Sequence, residues 1–182
     1  HVEGGIRSWD LTMPEEINRM VTDSITDYFF TTSETANNNL LKNGISEGQI
    51  FYVGNTMIDT LFKHIGRLKK PEFWNKLNLK EDNYIVMTLH RPSNVDEQKI
   101  LKALMDEIIA HSNNIPIIFP IHPRTAKQIF SLGISYSNLH ITKPLGYLEF
   151  NYLVKKAKAV ITDSGGITEE TTVMNIPCMT LR

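Results

Sequence analysis

Apolar and polar positions along this chain switch between two periods, and the switching predicts its elements. Pro14-Glu15-Glu16 opens a segment where Ile17, Met20, Val21 and Ile25 fall on one helical face, a helix begun by proline and acids. YFFTTS (28–33) reads as a short strand. Ser33 and Glu34 start a second helix, and Gly44 is placed to end it. QIFYVGN (49–55) is a strand and turn, and Thr56 to Leu68 reads as a helix with Ile58, Leu61, Phe62 and Ile65 apolar. The charged, Pro71-bearing stretch 67–83 breaks the rhythm and marks a boundary, which we set between residues 62 and 63. YIVMTLHR (84–91) is then a buried strand, Asp96 to His111 an amphipathic helix, and IPIIFPIHPR (115–124) a strand with a polar exit. LHIT, YLEFNYLVKKA, KAVITDS and GGITEETTVM continue as strand, helix, strand and helix. This alternation predicts an α/β fold with mainly parallel strands. His1 and the closing IPCMTLR read as the end of one strand and the start of another, so the chain is expected to be an internal piece of a longer protein.

Composition narrows the partners. The 182 residues are 41% hydrophobic and 21% charged, as in a globular domain, with a formal net charge of −1. That balance argues against nucleic acid or an anionic membrane surface as the main partner. One cysteine, Cys178, allows no internal disulfide framework and fits a reducing cytoplasm. It sits in a strand pattern, where a buried inert thiol is the expected reading. His1-x-Glu3 lacks a third partner at a ligand spacing, and there is no HExxH or Cys cluster, so no metal is expected.

In open α/β sheets, ligands sit beyond the carboxyl ends of the strands. That rule selects Glu3, His90-Arg91, His122-Pro123-Arg124 and Ser164-Gly165-Gly166. A serine and two glycines at a strand-to-helix turn leave first-turn N–H groups free to meet an anion, with no Cβ in the way. By itself such a turn is also a plain, well-capped connection. Glu170 lies four residues after Gly166, on the same helical face, where a carboxylate can accept from two neighbouring hydroxyls such as a ribose presents. Glu169 reads as an exposed acid favoured by the helix dipole. His90 and Arg91, with His122 and Arg124, could add positive charge for a pyrophosphate. Glu3 and Glu15 are the general acid/base candidates, although a turn acid and a helix-start acid are also common without any chemistry.

HVEGGIRSWD…MPEEINR, VGNTMID, TLHRPSN, PIHPR and ITDSGGITEE, in this order and spacing, resemble the non-hydrolysing UDP-N-acetylglucosamine 2-epimerases over nearly the whole chain. The resemblance implies two Rossmann-like domains of glycosyltransferase-B type with the active site between them. Here residues 1–62 would be the C-terminal part of the first domain and the connection, and residues 63–182 most of a second, UDP-binding domain. It implies interconversion of UDP-N-acetylglucosamine and UDP-N-acetylmannosamine by elimination of UDP to a 2-acetamidoglucal and re-addition, with no dissociable cofactor. By motif position, Glu3 and Glu15 would be the carboxylates acting at C2 and His90 would contact the phosphates. Ser164, Gly165 and Gly166 would hold the pyrophosphate, Glu170 the ribose, and Leu145 and Phe150 would frame the uracil. Arg91, His122 and Arg124 are additional candidates; the last two match a polar exit that binds an effector in some members. Family members usually form homodimers. The family's N-terminal glycine-rich turn and a catalytic aspartate have no counterpart here, and HRRE is replaced by His90-Arg91-Pro92-Ser93. The fragment alone is therefore expected to be inactive. Relatives acting on UDP-diacetamido-uronic acids share the PEE-type motif, which leaves the sugar less defined than the nucleotide. A UDP-sugar transferase of the same fold and a non-catalytic UDP-sugar-binding protein are the rival readings.

Overall fold

The computed structural model describes residues 1–121 and 123–181, without the side chains of Pro123 and Arg124. It divides into two units, residues 1–60 and 61–182, and the division falls inside one helix.

The first unit contains α1 (Pro14–Ser24), β1 (Phe29–Thr31), α2 (Glu34–Lys42), β2 (Ile50–Tyr52) and the start of α3 (Thr56–His64). β1 and β2 pair in parallel, Phe29 opposite Ile50 and Thr31 opposite Tyr52. Val2 bridges to Phe30, so the segment leading to Glu3 runs along β1. The Ser33 hydroxyl caps α2 by accepting from the Ala36 N–H at 3.2 Å. Gly44, at φ +83°, lies just beyond its end. Among the glycines of this unit, Gly5 lies closest to its neighbours. It has φ +78°, and a Cβ there would stand 2.4 Å from the Ala36 carbonyl oxygen and 2.8 Å from Leu40 Cγ. Only glycine lets the segment after Glu3 lie against α2.

α1 departs from the predicted amphipathic pattern. Its apolar face is exposed, Val21 at 57% and Ile25 at 79%, while the two acids Glu16 and Asp23 are buried. The helix is turned so that these carboxylates reach hydrogen-bond donors within the unit, which burial of a charge requires.

The second unit is a parallel sheet of β3 (Ile85–Thr88), β4 (Ile117–Pro120), β5 (Leu139–Thr142), β6 (Ala159–Thr162) and β7 (Cys178–Thr180), in the order β5-β4-β3-β6-β7. Parallel strands need crossover helices, and a sheet covered on both faces reads as continuous apolar runs. Side chains alternate accordingly. Met87, Phe119 and Ile161 pack with Leu101, Met105 and Ile108 of α6 (Gln98–His111) and Ile129 of α7 (Pro123–Ser131). Val86, Ile118 and Val160 pack on the opposite side with Leu153 and Val154 of α8 (Tyr147–Lys155). The charged stretch 67–83 contributes α4 (Phe73–Lys76) to that side. Its Trp74 meets Tyr84 and Tyr152 edge-on at 5.4 and 5.5 Å. The buried Tyr84 hydroxyl donates to the Leu153 carbonyl at 2.5 Å.

The helix predicted from Asp96 to His111 is divided. α5 (Pro92–Val95) is a single turn after β3, and α6 begins at Gln98, behind an extended Glu97 (ψ 113°). α9 (Gly165–Val173) follows β6. Cys178, expected to be buried, is half-buried in β7. No helix among the described residues is long and apolar enough to cross a membrane.

Gly5→Ala is expected to destabilise the protein by about 2 kcal/mol or more, from a positive φ and an overpacked backbone contact together. Thermal unfolding checks this; an unchanged midpoint contradicts the close approach to α2.

Candidate active site

The polar groups of the second unit collect where the strand order reverses. β3 leads through α6 to β4 on one side, yet its other neighbour is β6, so the reversal lies between β3 and β6. The two strands run in register to Thr88 and Thr162, whose hydroxyls are 2.6 Å apart. The chain then leaves β3 as Leu89-His90-Arg91 and β6 as Asp163-Ser164-Gly165.

Asp163 joins these two exits. Its side chain is fully buried, and its carboxylate accepts from the backbone N–H groups of His90 (3.0 and 3.2 Å) and Arg91 (2.8 Å) and from the Asn94 amide (3.0 Å). Nδ1 of His90 lies 2.6 Å from its Oδ1, while 59% of the His90 side chain is exposed. The Arg91 Nε donates to the Asp163 carbonyl at 2.7 Å, so that guanidinium is partly committed to the backbone. Burial pushes the Asp163 carboxyl up. The N–H of Arg91, the Asn94 amide, the N–H of His90 and the His90 ring outweigh burial and hold it below the usual carboxylate range. Stability from this group is therefore present above that range and is lost as pH falls through the depressed value.

Ser164 is the N-cap of α9, its hydroxyl oxygen 3.5 Å from the Ile167 N–H. Gly165 and Gly166 form the first turn, where backbone N–H groups have no carbonyl one turn earlier to receive them. With the helix dipole and the exposed His90 ring on the same rim, this turn can bind an anion. Glu170, one turn further along α9, is buried and accepts from the Tyr147 hydroxyl at 2.8 Å. Burial, helped by the charge of Glu169, raises the Glu170 carboxyl; Tyr147 and the nearby Asn151 amide oppose this without cancelling it. Burial and then Glu170 push the Tyr147 phenol up to about 12, which keeps it a donor. Asn151 is fully buried and, among the described residues, closes no side-chain hydrogen bond. The ring of His64 meets Tyr147 edge-on at 6.1 Å. Leu145 and Phe150, on either side of the α8 N-terminus, are half-buried against the core that Trp74 and Leu153 share.

In the first unit, Glu3 is half-buried and adopts φ 62°, a left-handed conformation that side chains other than glycine seldom take. Such strain concentrates at functional positions. Glu15 is exposed in the first turn of α1. Its neighbour Glu16 is buried, accepting from the N–H groups of Ser8 (3.0 Å) and Trp9 (3.2 Å) and from Arg19 (3.2 Å). The Ser8 N–H is the largest influence on the Glu16 carboxyl. With Trp9 and Arg19 it keeps that carboxyl below its ordinary range against the effect of burial. Asp23 is held by Nδ1 of His1 at 2.6 Å and by the Arg7 guanidinium. Two buried acids thus fix the turns on which Glu3 and Glu15 are mounted.

His90, Arg91, Ser164, Gly165 and Gly166 are brought together on one rim, with Glu170 one turn away. His122 and the side chain of Arg124 lie outside the described residues. Asp163, Asn94, Tyr147, Asn151 and Glu16 are absent from the residues selected by sequence. The signal for Asp163 was available: an acid directly after the apolar run AVIT must be buried, and a buried carboxylate must find donors.

Residues 1–182 match the family model for UDP-N-acetylglucosamine 2-epimerase. A UDP-N-acetylglucosamine 2-epimerase of Methanocaldococcus jannaschii is 44% identical, the match covering 100% of this chain and 52% of the relative. A UDP-2,3-diacetamido-2,3-dideoxy-D-glucuronate 2-epimerase of Pseudomonas aeruginosa is 34% identical over 100% of this chain and 51% of its own length. The crystal structure of the M. jannaschii UDP-GlcNAc 2-epimerase in complex with UDP-GlcNAc and UDP superposes with a TM-score of 0.85 at 43% identity, over 100% of this chain and 52% of that one. The chain spans about half the length of the curated relatives it matches.

Tyr147→Phe removes one of the two groups that lower the Glu170 carboxyl, so Glu170 is expected to titrate at higher pH in the variant than in the parent. Carboxyl-carbon NMR of ¹³C-glutamate-labelled protein reads this directly; an unchanged or lower titration contradicts the Tyr147–Glu170 bond.

Proposed function

Because this chain belongs to the UDP-N-acetylglucosamine 2-epimerase family, we propose that the whole protein interconverts UDP-N-acetylglucosamine and UDP-N-acetylmannosamine. One observation carries the reading. In a chain matched to this family along its full length, the anion-binding turn Ser164-Gly165-Gly166 and the buried acceptor Glu170 lie one turn apart on a single helix, as a nucleotide's phosphate and ribose require.

The roles divide between the units. Ser164, Gly165 and Gly166 receive the pyrophosphate through N–H groups and the helix dipole. Glu170, ionised, accepts from the two ribose hydroxyls, and Leu145 and Phe150 offer an apolar frame for the uracil. Glu3 and Glu15 exchange the proton at C2. One carboxylate takes it while the C1–O bond breaks and its electron pair leaves with UDP, giving the 2-acetamidoglucal. The other returns a proton to the opposite face of C2 as a UDP oxygen re-forms the bond at C1. His90 donates to the phosphates as their charge grows. Arg91 supports the same rim. His122 and Arg124 serve an effector or a second polar contact. The reading carries with it a homodimer working in the cytoplasm, a setting that the single cysteine suits.

The Pseudomonas relative supports a second reading, in which the sugar is a 2,3-diacetamido-uronic acid on the same UDP handle.

Full-length protein incubated with UDP-N-acetylglucosamine in deuterated water is expected to place deuterium at C2 and to yield the manno epimer. Glu3→Gln and Glu15→Gln are each expected to lower kcat by about 100-fold or more while UDP still binds. Absence of C2 label overturns the reading, and label appearing only in the UDP-diacetamido-uronic acid moves it to the second sugar.

Glu170 also sets a pH dependence. Its raised carboxyl is partly protonated just above the ordinary carboxylate range, whereas the diol is bound by the ionised form. UDP binding just above the ordinary carboxylate range is therefore expected to release protons. Calorimetry in buffers of different ionisation enthalpy reads this, and Glu170→Gln is expected to lower the release, since the terminal phosphate of UDP also titrates; release unchanged in the variant contradicts Glu170 as the ribose acceptor.

A further inference from the structure

Among the described residues of the second unit, the His90 side chain stands mostly in solvent, with 59% of it exposed. An exposed imidazole on a strand exit has two ring rotations and two neutral tautomers open to it. Rate enhancement by a hydrogen-bond donor needs neither freedom, since a donor is effective when it already points where charge will develop. The structure supplies the constraint from below. The Asp163 carboxylate is wholly buried, and its other partners, the N–H groups of His90 and Arg91 and the Asn94 amide, are donors. It is an acceptor throughout. The ring nitrogen 2.6 Å away must then carry a proton on Nδ1. The same carboxylate holds the backbone on which that ring is mounted, at His90 N and Arg91 N, so ring and main chain are fixed by one group.

We propose that Asp163 is the positioning residue for His90: with UDP bound, the carboxylate takes Nδ1–H and turns Nε2–H of the doubly protonated ring toward the phosphates of the UDP leaving group, and it locks the His90–Arg91 backbone beside the α9 turn. This rests on the reading that the second unit holds UDP. Asp163 does not touch substrate. Ser164-Gly165-Gly166 and Glu170 bind the nucleotide whether or not the ring is aligned, so losing the alignment should cost turnover and spare binding. In Asp163→Asn the side chain can keep one oxygen for a backbone N–H and present its NH₂ to the ring. An NH₂ facing Nδ1 favours a bare Nδ1, so the ring meets the phosphates from Nε2–H as a neutral imidazole, without the positive charge that strengthens the bond.

The test uses full-length protein. Long-range ¹H–¹⁵N correlation of ¹⁵N-histidine-labelled protein, with the His90 signals assigned by their loss in His90→Gln, is expected to show both ring nitrogens protonated in the parent's UDP complex. In the UDP complex of Asp163→Asn the neutral Nε2–H tautomer is expected instead. In turnover, Asp163→Asn is expected to lose about 100-fold in kcat, the order that follows a misplacement of about 1 Å, with KM and UDP affinity within about 3-fold of the parent, the range we take as unchanged binding when apportioning mutant kinetics. A bare Nδ1 in the parent overturns the proposal even if no Asp163 variant folds. A fall confined to KM, or a fall in kcat with the His90 tautomer unchanged, overturns it too. If no C2 exchange occurs with any UDP-sugar, the functional reading fails, while the His90 tautomer in parent and variant still decides the role of Asp163.

Discussion

The second unit is organised around a carboxylate that has no access to water. Asp163 sits at the end of β6 with its side chain fully buried, and a charge in that position persists only if donors surround it. They come from the neighbouring strand exit: two backbone N–H groups, an amide and an imidazole. Removing any element of this arrangement leaves either an unmet charge or unmet donors, both costlier than the bond itself is worth. The acid therefore fixes the separation of the β3 and β6 exits, and with it the spacing between an exposed histidine and the N-terminus of α9. The register of the sheet, Thr88 beside Thr162, delivers the chain ends to that point.

The first unit uses the same device on a smaller scale. Glu16 ties the turn at Ser8 and Trp9 to α1, and Asp23 ties His1 and Arg7 to the far end of that helix. In both units the buried acids do the holding, while their neighbours Glu15 and His90 stay exposed. The exposed apolar side of α1 is the counterpart of this choice: the helix has turned its acids inward at the expense of Val21 and Ile25.

Much of this was readable in the sequence. Apolar runs at 84–89, 115–121 and 159–161 are so continuous that strands covered on both faces fit them, and the parallel sheet follows. Strand exits carrying His90, Arg91 and Ser164-Gly165-Gly166 pointed to one rim because the carboxyl-end rule depends on topology alone. What escaped depended on long-range pairing. No spacing rule announces that Asp163 will meet His90, since 72 residues intervene between them and only the strand order makes them neighbours. α1 misled because helical periodicity reports a face without saying which side the fold buries. The break at Asp96–Glu97 escaped because neither residue is a strong helix breaker, and the extended Glu97 is set by the turn that α5 makes after β3. Tyr147 and Asn151 looked like ordinary positions of an amphipathic helix, and their link to Glu170 exists only through α9.

The placement of β6 next to β3 also has a consequence for assembly. β3 emerges early in this unit, and β4 and β5 can add to one side of it as they are made. Its other edge must wait until the chain has returned through α8. Closing that edge carries a large loop-closure cost, recovered only when the pairing and the Asp163 contacts form together. Until then the rim does not exist, since its two halves belong to segments made far apart in time. On the proposed function, a nucleotide would have nothing to grip on a nascent or half-assembled chain and would add its binding energy only to molecules whose sheet is complete. Recognition of such a ligand would double as a proofreading step for the topology of the domain.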